Sequence, residues 1–218
     1  MPKNKIQAVL FDMDGTLVDT APDMADTLNL LLKKNNLTKL DQKIIRPFVS
    51  QGAMALIKLA FQSCSIKKQE TLKDEYLTMY QDNFTNKSAL FEGTNKILSY
   101  LDKNNIKWGI VTNKPHGFAK PLLEHLKIYK NCAVLVCGDS LAKNKPHPLP
   151  LKIAAQKINI DVKKCIYIGD DIRDMQAAIA AKMPCAVAKW GYIDKQEDAS
   201  KWHGDYIFSS IDELMQLL

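Results

Sequence analysis

The sequence predicts an α/β fold in which a parallel sheet carries helices on both faces and an all-helical segment interrupts it. Three observations predict this. Apolar runs of strand length recur along the chain, helical patterns separate most of them, and one stretch of about 70 residues carries helical patterns alone.

The first run, residues 6–11, reads as a fully buried strand, since β-branched and large apolar residues fill it. Residues 17–86 follow with no evident strand and with helical patterns near 22–34, 42–48, 53–64 and 68–83. Thr20-x-x-Asp23, with Pro22 in the first turn, predicts a capping box opening the first of these helices. Strands are then expected at Lys107–Val111, 133–137, Cys165–Gly169, Cys185–Ala188 and Tyr206–Phe208, and a helix at 172–182. The expected division is a discontinuous sheet domain, 1–16 with 87–218, and a helical domain, 17–86, joined through linkers near 18–21 and 86–93.

With 218 residues and 46% hydrophobic composition the chain can bury a sizeable core. Its net charge of +6 suits an anionic partner: nucleic acid, an acidic membrane or a phosphorylated metabolite. The lysines are dispersed and only Arg46 and Arg173 are arginines, which argues against nucleic acid. No stretch approaches the ~18 apolar residues of a membrane span, and Asp12 and Asp14 interrupt the early apolar run before it could serve as a signal peptide. Five cysteines in odd number without Cys-x-x-Cys spacing, and four scattered histidines, speak against disulfides and zinc. These observations together predict a cytoplasmic protein, while composition does not choose among the anionic partners, the small phosphorylated metabolite included. They are silent on oligomeric state.

Chemistry concentrates where strands end. The first strand delivers Asp12 and Asp14, two residues apart, into the Gly15-Thr16 turn. Two carboxylates there repel each other, and a hard divalent cation such as magnesium would hold both ionised. The strand Lys107–Val111 delivers Thr112 and Asn113, where a hydroxyl and backbone N–H groups can face an anion. Prolines hold Lys145 at or before a helix start, and a lysine so fixed can neutralise a phosphoryl group. The strand Cys165–Gly169 ends in Asp170, Asp171 and Asp174; Asp171 can alternatively cap the helix that follows.

Asp12-x-Asp14-Gly15-Thr16, Thr112, Lys145 and Gly169-Asp170-Asp171-x-x-Asp174, in that order, resemble the four motifs of the haloacid dehalogenase superfamily. The resemblance covers nearly the whole chain. It implies a Rossmann-like sheet, with the helical segment 17–86 as a cap over the site. It further implies Asp12 as nucleophile, Asp14 as general acid and base, and magnesium held by Asp12, the Asp14 backbone carbonyl and Asp170. Thr112, Asn113 and Lys145 would then bind phosphate, while Asp171 and Asp174 orient the metal shell or Lys145. Halide-displacing members lack the second carboxylate, so Asp14 points to a phosphatase. Within the superfamily, Thr20-Ala21-Pro22-Asp23 and Trp108–Pro115 look like the phosphoglycolate phosphatases. Trp190-Gly191-Tyr192-Ile193 looks like the branch that hydrolyses N-acetylmuramate 6-phosphate. Both substrates carry a carboxylate, which Arg46 could fork onto while Gly52 lets backbone approach. A phosphomutase or a non-catalytic binding module are the alternatives of other classes.

Overall fold

The computed structural model describes residues 6–194 and 196–218. The chain opens with β1 (Ala8–Phe11) and β2 (Val18–Asp19), then α1 (Ala21–Lys34), α2 (Gln42–Ile45), α3 (Ala53–Ala60) and α4 (Ile66–Gln81). Next come β3 (Ala89–Leu90), α5 (Thr94–Lys103), β4 (Lys107–Val111), α6 (His116–His125) and β5 (Val134–Val136). It closes with α7 (Leu149–Lys157), β6 (Cys165–Gly169), α8 (Ile172–Ala181), β7 (Cys185–Ala188) and β8 (Tyr206–Phe208).

Six strands pair in the order β5-β4-β1-β6-β7-β8, all parallel. Both faces are covered, which is why the strands read as continuous apolar runs. Val9 and Phe11 pack with Leu101, Leu122 and Ile97 on one face, and Ala8 and Leu10 with Leu151 and Met175 on the other. Phe11 lies beside Ile110 of β4 and Ile168 of β6. The chain therefore leaves three adjacent strands at one carboxyl edge, where α/β sheets bind ligands.

Helices α1 to α4 form their own apolar cluster around Leu28, Leu31, Leu56, Ile57, Leu72 and Tyr76, which Tyr192 of the sheet region joins. Three details differ from the sequence expectation. The linkers pair as a short antiparallel ribbon, β2 with β3, too brief to show as an apolar alternation. The helix expected at 42–48 ends at Ile45 and continues as the 3₁₀ turn Arg46–Gln51, because Pro47 removes an amide donor. The capping box at Thr20 and Asp23 does not form: Thr20 has helical backbone angles, and its hydroxyl instead donates to Asp14 Oδ1 at 2.6 Å. Asp23 meanwhile accepts from Lys87 N, Ser88 N and Ser88 Oγ, tying α1 to the other linker. The amides of Thr20 and Ala21 find the Tyr192 hydroxyl at 2.7 and 3.0 Å, so they need no local cap.

Candidate active site

Asp12 is the first residue beyond β1 and is buried. Its amide still donates to Ile168 O, which holds it in register with β6. Its Oδ1 accepts from Met13 N at 2.8 Å and from Lys145 Nζ at 2.9 Å. Lys145 also reaches Asp174 Oδ1 at 2.7 Å and the Tyr167 hydroxyl at 2.8 Å, and that hydroxyl donates in turn to Val111 O. The ammonium is thus held by three groups, all from the sheet region. Asn113 fixes its backbone from both sides, accepting from Lys145 N and donating to Lys145 O. Thr112 lies buried beyond β4, its hydroxyl accepting from Lys114 N.

Asp170 follows β6 and is buried against the turn after β1. Thr16 Oγ1 donates to Oδ1 at 2.9 Å, while Ser50 Oγ and Tyr192 N donate to Oδ2 at 3.0 and 2.9 Å. Gly15 permits the close approach: its φ of +84° is open to glycine, and a Cβ there would collide with the Asp170 carboxylate. Asp171 does cap α8, accepting from Arg173 N, and its carboxylate is bidentate to the Arg173 guanidinium. Burial alone would raise Asp171, but Arg173 wins and holds it below the usual carboxylate range.

One oxygen each from Asp12, Asp170 and Asp174 lies within 4.8 Å of the others. Burial pushes Asp12 up to about 7 against the pull of Lys145, and burial with the charge of Asp12 pushes Asp170 well above its ordinary value. Counting Asp14, four carboxylates face two buried ammoniums, Lys145 and Lys114. Hard oxygen donors and surplus negative charge fit a divalent cation.

Asp14 lies across the same opening and is held by a residue that carries no local signal in the sequence. Lys114 Nζ reaches Asp14 Oδ1 at 3.1 Å and the Tyr80 hydroxyl of α4 at 3.2 Å. Burial lowers an ammonium's pKa, but Asp14 and Tyr80 together hold Lys114 above its ordinary value. Arg46 is elsewhere: its Nη1 sits 3.0 Å from both oxygens of Asp19, and its guanidinium lies 4.7 Å from the Tyr192 ring centre. The cavity over Asp12 has a volume of about 370 Å³ and is bounded on the sheet side by Asp14, Thr112, Asn113, Lys114 and Lys145. Gly52, Lys73, Tyr76 and Tyr80 close it from the helical side. Lys73 and Arg173 are the further cations at its wall, and Arg46 is not among its lining residues.

A protein-family model, described as haloacid dehalogenase-like hydrolase, matches residues 9–188. The chain belongs to the haloacid dehalogenase-like hydrolases. A phosphoglycolate phosphatase of Xanthomonas campestris pv. campestris (strain 8004) is 41% identical over 210 residues, covering 96% of this chain and 95% of the relative. An N-acetylmuramic acid 6-phosphate phosphatase of Pseudomonas putida is 36% identical over 215 residues, covering 98% and 96%. The crystal structure of a predicted phosphoglycolate phosphatase from Haemophilus somnus 129pt superposes with a TM-score of 0.88 at 25% identity, covering 100% of this chain and 99% of that one. Relatives from both substrate branches thus match this member of the family along nearly its whole length. No helix among the described residues is long and apolar enough to cross a membrane.

Proposed function

We propose that this hydrolase is a cytoplasmic, magnesium-dependent phosphatase that cleaves a small anionic phosphate monoester through an aspartyl-phosphate on Asp12. The observation that carries this reading is the placement of Asp12 and Asp14, with Thr112 and Lys145, around one cavity. Phosphoryl transfer asks a protein chiefly for positioning and for charge opposite the transferred group. Magnesium would be held by the Asp12 and Asp170 carboxylates and the Asp14 backbone carbonyl, and would supply Lewis-acid charge to a phosphoryl oxygen.

The chain's own residues do the rest. Asp12, kept in place by Met13 N and Lys145, attacks phosphorus and carries the phosphoryl group. Lys145 offsets charge on the phosphoryl oxygens, Thr112 donates its hydroxyl to one of them, and Asn113 holds Lys145 in line. Asp14 gives a proton to the leaving oxygen and takes one from the water that clears Asp12. Asp174 orients Lys145, and Asp171 anchors Arg173. We assign residues 17–86 the part of a cap that shuts water out during transfer.

Two substrates compete. 2-Phosphoglycolate is favoured by the 41% identical relative of that name. The cavity favours the second, N-acetylmuramic acid 6-phosphate: about 370 Å³ is within the ~300–1,000 Å³ of small-molecule sites and exceeds what a two-carbon ester fills. Met24, Met54, Leu77 and Phe118 give that space an apolar wall suited to a sugar face and an acetyl methyl. Lys73 at the cavity wall takes over from Arg46 as the cation for a substrate carboxylate, since the Arg173 guanidinium is already bidentate to Asp171. The test is magnesium-dependent phosphate release from the two esters side by side, as kcat/KM. A hundredfold preference, about 2.7 kcal/mol, assigns the substrate; feeble rates on both overturn both assignments. Asp12→Asn is expected to lose all measurable turnover with its circular dichroism unchanged, and an active Asp12→Asn protein removes the nucleophile.

A further inference from the structure

We propose that Lys114 and Tyr80 together position the Asp14 carboxylate for the leaving-group oxygen, and that Tyr80 makes this positioning depend on how the helical segment sits on the sheet region. The inference rests on the reading of Asp14 as the group that serves that oxygen.

Lys114 is 100 residues from Asp14 in sequence, yet its ammonium is buried against it, 3.1 Å from Oδ1 and 3.5 Å from Oδ2. Thr20 Oγ1 donates to the same Oδ1 at 2.6 Å. Two donors on one oxygen fix the carboxylate's rotation and leave Oδ2 the less strongly held. Oδ2 is therefore the atom free to exchange a proton with the substrate. Asp12 is also held by two donors on one oxygen, Met13 N and Lys145 Nζ on Oδ1, but none of its donors is held in turn by the helical segment.

The other end of the clamp belongs to α4. The Tyr80 hydroxyl accepts from Lys114 Nζ at 3.2 Å, and its ring lies 5.1 Å from the same nitrogen. That ring is buried in an aromatic seam: it stacks on Tyr76 at 5.9 Å and tilts against Phe118 of α6 at 5.3 Å. Phe118 and Lys114 come from the sheet region, Tyr80 and Tyr76 from the helical one. Lys114 keeps all its partners only while that seam is closed, and a shift of α4 would remove Tyr80 and let the ammonium, with the carboxylate it holds, turn. Lys114 is accordingly a positioning residue that acts through Asp14.

The experiment compares esters with poor and good leaving groups. The alkyl ester is whichever of 2-phosphoglycolate and N-acetylmuramic acid 6-phosphate is cleaved faster; the aryl ester is 4-nitrophenyl phosphate, whose phenolate departs without a proton. Asp14→Asn should lose far more kcat on the alkyl than on the aryl ester. Lys114→Met should follow the same pattern, losing roughly 30- to 100-fold on the alkyl ester and under about fivefold on the aryl one, with KM within about twofold. Tyr80→Phe keeps the ring and should show a weaker version, about three- to tenfold on the alkyl ester alone. Lys114→Arg, which keeps the charge and moves the donors, decides the matter should Lys114→Met fail to fold, and the same selective loss is expected of it. Equal losses on both esters, or a loss seen as raised KM, would make Lys114 a substrate contact and overturn the proposal. An unchanged Tyr80→Phe overturns the part assigned to α4. If Asp14→Asn itself shows no leaving-group dependence, the reading of Asp14 falls first and the proposal with it.

Discussion

Lys145 and Lys114 are both ammoniums buried at the mouth of one cavity, each against a carboxylate of the Asp12-x-Asp14 pair, but they are anchored differently. Every group that touches Lys145 comes from the sheet region: Asp12, Asp174 and the Tyr167 hydroxyl, with Asn113 gripping its backbone. Lys114 instead bridges the regions, with Asp14 on one side and Tyr80 of α4 on the other. On the proposed reading, the charge that meets phosphate is thus held by partners from the sheet region alone. Charge that steers Asp14 is built where movement of the helices can alter it. A rigid element holds geometry better, whereas a contact between two bodies can report their separation.

The largest effect expected on the Lys145 side is its removal. Lys145→Met leaves Asp12 and Asp174 facing each other without a counter-charge. Activity should fall by more than about a hundredfold, and unfolding in urea without magnesium at pH 7.5 should show a loss on the order of 3 kcal/mol. A fully active variant would mean that Lys145 does not meet the phosphoryl group.

Next is the dependence on pH and magnesium, which sharpens the contrast because it resides on the Asp12 and Asp170 side. Asp12 titrates at about 7 in the folded metal-free protein against an ordinary 3.8. Between these values the folded chain keeps a proton that the unfolded chain gives up, so stability falls as pH rises from 4 to 7. Asp170, also raised, acts in the same direction. The metal-free Tm should therefore fall from pH 5 to pH 7.5, and magnesium should raise Tm more at pH 7.5 than at pH 5. Over that pH range the effect is at most about 3 kcal/mol for Asp12. A magnesium effect that is larger at pH 5 would contradict the ligand assignment.

The smallest effect is at the neck between the regions. Arg46→Ala removes the partly exposed Asp19 pair and the contact with the buried Tyr192 ring, for about 1 kcal/mol of stability. KM for either ester should change less than about twofold. A tenfold rise in KM would restore Arg46 to substrate recognition.

The order of strands and helices could be read in the sequence because apolar periodicity acts over a few residues. The same is true of the arrival of Asp12, Thr112 and Asp170 at strand ends, where an apolar run simply stops. Asp171 as a helix cap was legible for the same local reason. Thr20 was misread because its hydroxyl had a better partner in Asp14 and its amide a better one in Tyr192, 172 residues away. The partner of Arg46 was not legible, because Asp19, the carboxylate it pairs with, enters from a strand pair formed only by the returning chain.

By itself, then, the sequence determined the α/β class, the sheet-edge positions of the acidic residues and the surplus of carboxylates that calls for a cation. Only the tertiary structure decided that Asp174 shares Lys145 with Asp12, that Asp171 turns to Arg173, and that Lys114 joins Asp14 to Tyr80. The physical reason is range. Propensity and periodicity are set by neighbours in the chain, whereas a buried ammonium takes its partners from whatever the packing of sheet and helices brings within hydrogen-bond distance.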